Sequence, residues 1–249
     1  MTLRSRVLDP ILAKMANRFL RRIHRITHRM PIRLRAVEKQ RVLVIAPHPD
    51  DEVIALGGTL ALHRSLGSDT TTVYVTMDEP SPSGRTVRKS EAATAGSFLG
   101  YDCRFLDYPD GWVSRHEVAV SRDLEAVIRT IRPDLVYCPF PGDHHRDHQA
   151  VAASAAIALG RAGSDAQVWC YEVWSNLWPN AGIDVSSVID AKRTAIESYK
   201  SQTDTMPYAD TALALNRFRG LRLGVAYAEA FFVCEPSEFV DLCGSLGTV

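Results

Sequence analysis

The stretch Arg41-Val42-Leu43-Val44-Ile45-Ala46-Pro47-His48-Pro49-Asp50-Asp51-Glu52 opens on an apolar run and closes on one imidazole and three carboxylates. A short unbroken apolar run ended by proline reads as a strand buried on both faces, the pattern of a parallel sheet. Its polar end is costly to bury, because three acids beside one histidine need a cation or strong donors. A divalent metal meets that need, and zinc accepts both imidazole and carboxylate. A solvated acidic turn is the alternative. A second polar cluster, Asp143-His144-His145-Arg146-Asp147-His148, follows a second apolar run at residues 135–140. Both clusters therefore fall at strand C-terminal ends, where open parallel sheets carry their sites.

Outward from these two runs, strand and helix patterns alternate. Strands are expected at 42–46, 70–76, 103–106, 135–140, 167–174, 183–189 and 225–234. Helices are expected at 52–66, 86–99, 116–131, 147–159 and 190–201. This order predicts an α/β fold: a Rossmann-like, doubly wound, mostly parallel sheet with helices on both faces. A dinucleotide site would place a GxGxxG turn after the first strand. Adjacent carboxylates stand there instead and would repel a pyrophosphate, which disfavours NAD or FAD.

A chain of 249 residues, 46% hydrophobic and 23% charged, suits one globular α/β domain. Cys103, Cys138, Cys170, Cys234 and Cys243 are widely spaced and form no CxxC pair, so they read as reduced thiols. No apolar run reaches the ~18 residues of a bilayer span. The formal net charge of +0 hides an asymmetry, because residues 1–41 carry twelve Lys or Arg against Asp9 and Glu38. Residues 1–40 read as a basic arm and 41–249 as a single catalytic domain. Within the arm, Leu8, Ile11, Leu12, Met15, Phe19, Ile23, Ile26 and Met30 recur at helical spacing, giving a basic amphipathic helix. Such a helix packs on its own domain, meets a second subunit, or lies on an anionic membrane surface. Nucleic acid is not an expected partner. The expected location is cytoplasmic, with peripheral contact at the inner membrane face as an extension.

Read together, the two clusters describe one catalytic metal centre with an open position for water. His48 and Asp51 span a strand-to-helix turn and can face one point, and His148 is well placed as the third ligand. Asp50 points elsewhere and is free to act as a base on the water. His145, three residues before His148, can lean toward the same site to steady an oxyanion or donate a proton. Asp147 either supports that step or orients a histidine. Glu52 starts the helix, where its charge suits the dipole. His24, His28, His63 and His116 lack such context and read as surface groups.

These residues resemble the PIG-L/LmbE family of zinc-dependent N-acetylglucosaminyl deacetylases. The resemblance lies in Pro47-His48-Pro49-Asp50-Asp51-Glu52 with Gly57-Gly58-Thr59, and in His145-Arg146-Asp147-His148. Weaker matches are Arg88 to Glu91, Asp110-Gly111, Ser201-Gln202 and residues 227–231. It implies His48, Asp51 and His148 as zinc ligands, Asp50 as general base, and His145 as acid or oxyanion partner supported by Asp147. It also implies that Arg88 and Asp110 line the pocket for an N-acetylated amino-sugar substrate. Fe²⁺, Co²⁺ or Mn²⁺ could replace zinc at such a site. Alternatives to N-deacetylation are cleavage of a larger N-acyl or thiol-conjugate substrate, and metal-dependent sugar binding without turnover. Many members have a histidine just before the Ser-Gln pair, where this chain has Tyr199-Lys200. Trp112, Trp169, Trp174 and Trp178 could stack on sugar rings or simply fill the core.

Overall fold

In the computed structural model, which describes residues 32–77 and 82–246, the opening run forms strand β2 (Arg41–Ala46). Val42 to Ala46 are fully buried because neighbours flank the strand on both edges and helices cover both its faces. Strand β3 (Asp69–Thr76) pairs with one edge and β5 (Leu135–Pro139) with the other, both in parallel. Beyond β3 lies β4 (Asp102–Tyr108), and beyond β5 lies β6 (Gln167–Tyr171), again parallel. Strand β8 (Ala228–Cys234) runs antiparallel to β6 and to β7 (Ala181–Asp184). A short β1 (Arg33–Leu34) completes the order β1-β7-β8-β6-β5-β2-β3-β4. Residues 33–34, assigned to the arm from sequence, thus pair with the sheet edge. The amphipathic segment 8–30 lies outside the described residues.

Side chains of β2 alternate between two cores. Leu43 and Ile45 pack toward helices α3 (Glu117–Ile131), α4 (Arg146–Ala162) and α8 (Pro236–Leu246). Val42, Val44 and Ala46 pack toward α1 (Asp51–Leu66), α2 (Pro82–Leu99), α5 (Ile189–Glu197) and α7 (Tyr208–Leu223). A single turn, α6 (Lys200–Thr203), links the last two. The chain leaves β2 toward β3 on one side and later returns to β5 on the other. The turns after β2 and β5 therefore diverge and open a crevice, the switch point of a doubly wound sheet. That topology is what brings the two polar clusters together.

Helix α1 is two helices in series. Leu56 has non-helical angles (φ −136°, ψ 24°), which frees the N–H groups of the following turn. Glu229, from β8, accepts those of Gly58 (2.9 Å) and Thr59 (2.7 Å) and also binds Lys192 Nζ at 2.6 Å. Only glycine fits at 58, since a Cβ there would stand 2.8 Å from Val185. Helices α7 and α8 were not anticipated. In α7, Asn216 and Arg219 face inward while Phe218 and Leu221 face solvent, so its hydrophobic pattern does not mark its buried side.

Candidate active site

The first polar cluster is held by a tight turn between β2 and α1. Thr76 ties down the Pro47 carbonyl through its N–H (2.9 Å) and Oγ1 (2.8 Å). Asp50 then takes φ 120°, a backbone region that disfavours any side chain and costs about 1–3 kcal/mol. The turn sends consecutive carboxylates in different directions. Asp50 Oδ2 lies 3.6 Å from Arg88 Nη2. Asp51 Oδ2 accepts the His48 backbone N–H (3.0 Å) and lies 3.2 Å from both His48 Nδ1 and His148 Nε2.

The second cluster begins helix α4. His145 caps it, with Nδ1 accepting the Asp147 N–H at 3.3 Å. His148, one turn in, is fully buried, and its Nδ1 lies 3.5 Å from Asp143 Oδ2. The rings of His48, His145 and His148 sit 4.8–5.4 Å apart between centroids. Each offers a ligand nitrogen, all within 4.8 Å of one another. His48, Asp110 and Asp147 form a second such group. Neither ring nitrogen of His148 has a hydrogen-bond partner despite complete burial. A buried imidazole nitrogen left unmatched beside a carboxylate is the donor set a transition-metal ion would complete. The residues present fit a divalent cation.

A family model described as GlcNAc-PI de-N-acetylase, PIG-L, matches residues 43–159. A conserved protein of Thermus thermophilus is 30% identical with a TM-score of 0.71, covering 78% of this chain and 94% of that one. The chain belongs to the PIG-L family. The probable N-acetyl-alpha-D-glucosaminyl L-malate deacetylase 2 of Bacillus cereus is 28% identical over 68% of this chain and 86% of its own. The diacetylchitobiose deacetylase of Thermococcus kodakarensis is 29% identical over 82% of this chain and 86% of its own. Both polar clusters, Arg88 and Asp110 all lie inside the PIG-L match.

Electrostatics separates the members of this PIG-L site. Burial and the adjacent Asp51 charge push the Asp50 carboxyl up to about 8, with Arg88 opposing. Asp51 moves the other way: burial resists its charge, but His148 and His48 hold its pKa well below the carboxylate range. Burial opposes charge on His48, yet Asp110, Asp147 and Asp51 raise it well above the usual imidazole range. His148 is raised to about 9 by Asp51 and Asp143, again against burial. His145 is lowered by burial and by its two histidine neighbours. Since its Nδ1 accepts a backbone N–H, the neutral ring carries its proton on Nε2. A dication among the same groups would press His145 in the same direction.

Several PIG-L site residues stand where sequence alone did not put them. Asp147 turns its carboxylate away from His145, accepting N–H groups of Gly111 (2.6 Å) and Val113 (3.2 Å) and lying 3.5 Å from His48 Nε2. Only its backbone N–H reaches His145. Asp110 lies 2.7 Å from His48 Nε2. Arg88 is 3% exposed and donates to the Pro49 carbonyl, while its Nε and Nη1 are buried without partners. Glu91 does not pair with it but accepts the N–H and hydroxyl of Ser201, both at 2.7 Å. Glu52 is fully buried, accepting the Tyr101 and Tyr199 hydroxyls (2.8 and 2.6 Å) and the Asp50 N–H, so its role exceeds that of a helix-dipole partner. Asp143, which behind His148 also accepts the His145 and Trp174 N–H groups, drew no role from sequence. Its place two residues before His145 was the available signal. His63 is buried, contrary to expectation, between Ser68 Oγ and Tyr137 OH. Trp169 belongs to the core, whereas Trp112, Trp174 and Trp178 are exposed.

Proposed function

We propose that the chain is a zinc-dependent N-deacetylase that hydrolyses the acetamide of an N-acetylglucosamine-type conjugate, releasing acetate and a free amine. The observation that carries this reading is the pairing of two features. Asp50, 3.6 Å from Arg88, stands beside a His48–Asp51–His148 set whose buried His148 nitrogens face Asp51 (3.2 Å) and Asp143 (3.5 Å) without a formed hydrogen bond. The PIG-L relatives act on N-acetylated amino sugars by their names, and the same substrate class is assigned to this chain.

His48, Asp51 and His148 would hold the cation, offering two imidazoles and one carboxylate. When bound, the cation supplies a Lewis acid that lowers the pKa of a neighbouring water to about 7. Asp50 takes that water's proton as its oxygen adds to the acetamide carbon. Arg88 keeps Asp50 oriented, with Nη2 3.6 Å from its carboxylate. His145 donates from Nε2 to the oxyanion as the carbonyl opens. The carbon–nitrogen bond then breaks, and the proton held by Asp50 passes to the departing amine. Asp110 and Asp147 position His48, and Asp110 is the more exposed of the two carboxylates.

The test is acetate release from N-acetylglucosaminyl substrates, measured with chelator and after zinc, Fe²⁺, Co²⁺ or Mn²⁺ is restored. Release that stops with chelator and returns with zinc is expected; no release from any substrate overturns the reading. A cytoplasmic location, with residues 8–30 on a membrane face or a second subunit, belongs to the same proposal. Among the described residues no helix is long and apolar enough to cross a membrane. Co-sedimentation of the full chain with anionic vesicles tests the surface contact, and no binding ends it.

A further inference from the structure

The outward face of α7 is apolar where a solvated helix is ordinarily polar. Ala214, Phe218 and Leu221 recur at i, i+4 and i+7, so they share one face of the helix, and all three are exposed. Phe218 is 54% accessible and Leu221 79%, the most of any large hydrophobic side chain among the described residues. Arg217 and Arg222, both exposed, flank this stripe on its two sides. Arg217 Nη1 donates to the Ala226 carbonyl at 3.2 Å, which leaves its charge uncompensated. The other polar groups on this side of α7 are engaged within the chain. Asp210 pairs with Arg193 at 2.9 Å, and the Thr211 hydroxyl donates back to the Pro207 carbonyl at 3.0 Å.

The face continues at the edge of the sheet. Gly182 of β7 lies under the last residue of α7, and the Leu223 side chain fills the space that a Cβ at Gly182 would need. Leu34 of β1 pairs with Gly182 and projects from the same side of the sheet, beside that last turn. Leu34 is exposed, and its chain neighbours Arg33 and Arg35 are exposed as well. None of Arg33, Arg35, Arg217 and Arg222 forms an ion pair among the described residues. Residues 42–249 carry more carboxylates than cations, so this group of unpaired arginines is a local feature. Residues 8–30, with Lys14, Arg18, Arg21, Arg22, Arg25 and Arg29, precede the same edge in the chain.

An apolar helix face is covered by residues 8–30, by a second copy of the chain or by a lipid surface. Charge decides among them. Residues 8–30 laid along α7 would crowd their cations against Arg217 and Arg222, and a two-fold contact between copies would bring the same arginines together. An anionic bilayer instead takes the apolar stripe at its acyl boundary and the flanking arginines at its headgroups. We propose that this face of α7, with Arg33, Leu34 and Arg35, seats the folded domain on an anionic lipid surface. The inference extends the surface contact proposed above for residues 8–30 and is independent of the deacetylase reading.

The full chain is co-sedimented with vesicles of equal parts phosphatidylcholine and phosphatidylglycerol, and with phosphatidylcholine alone. Binding to the mixed vesicles only is expected. Phe218→Ser with Leu221→Ser should weaken it by about tenfold or more, through lost apolar burial. Arg217→Gln with Arg222→Gln should weaken it by a similar factor at low salt and flatten its salt dependence. Arg21→Gln with Arg22→Gln and Arg25→Gln reads the contribution of residues 8–30 separately. If that variant loses binding while both α7 variants bind as the parent does, the α7 contact is overturned and the other contact stands. No binding by the parent overturns both. An environment-sensitive fluorophore on Ala214→Cys, with the half-buried Cys103 changed to Ser, should shift to the blue on the mixed vesicles. The same label on Val118→Cys, across the sheet on α3, should not shift. A blue-shifted Ala214→Cys label before lipid is added gives the face to residues 8–30 or to a second copy, and overturns the proposal.

Discussion

Two of the buried charged clusters among the described residues are finished differently. Lys192 and Glu229 are both fully buried, and each Glu229 oxygen has its donors in Lys192, Gly58 and Thr59. Around His48, Asp51 and His148 the accounts do not close: His148 has no hydrogen bond, Arg88 keeps two unmatched donors, and Asp50 sits at φ 120°. A closed buried network fixes a structure, while an open one beside a strained backbone marks a place for something not in the chain. The first cluster is a strut and the second a site.

Removing the strained carboxylate should separate activity from stability most strongly. Asp50→Gly is expected to lower kcat for acetate release by about 10²–10⁴-fold. Its urea midpoint should rise, because glycine accepts φ 120° without strain. A fall in both would place Asp50 in the strut class. Conversely, Glu229→Ala leaves Lys192 buried and unpaired and should cost about 3–5 kcal/mol in urea unfolding. A loss under 1 kcal/mol would show that Lys192 finds another partner.

His63 sharpens the contrast, being a buried imidazole with both nitrogens occupied. Burial lowers its pKa from 6.5 to about 4, so the unfolded chain binds its proton first as pH falls. Stability from His63 is present above pH 6.5 and lost down to about pH 4, by roughly 2–3 kcal/mol. His63→Gln should flatten that part of the stability profile, and an unchanged slope would refute the assignment.

The parallel core and both clusters were legible because each rests on local sequence: an apolar run, a proline, a polar turn. What brings the clusters together is strand order, which places β2 beside β5 and is not written in either segment. Asp143 went unread, and Glu52 was read only as a helix starter, for a related reason. Their partners, Trp174, Tyr101 and Tyr199, come from distant parts of the chain. Helix α7 was missed because its inward face carries Asn216 and Arg219 while Leu221 lies 79% exposed. His63 read as a surface group since nothing local announces Tyr137 across 74 residues.

The bond from Glu229 to Gly58 and Thr59 spans about 170 residues of chain. Helix α1 bears Asp51 on its first turn, and its midpoint break is capped only by a carboxylate from the penultimate element. A ribosome delivers that element only after the seven other strands of the sheet. Until β8 emerges and docks, the break in α1 stays uncapped and Lys192 has no counter-ion. A nascent chain halted before residue 229 would hold both metal-facing motifs yet lack the brace for the first, so competence waits for the last strand of the sheet.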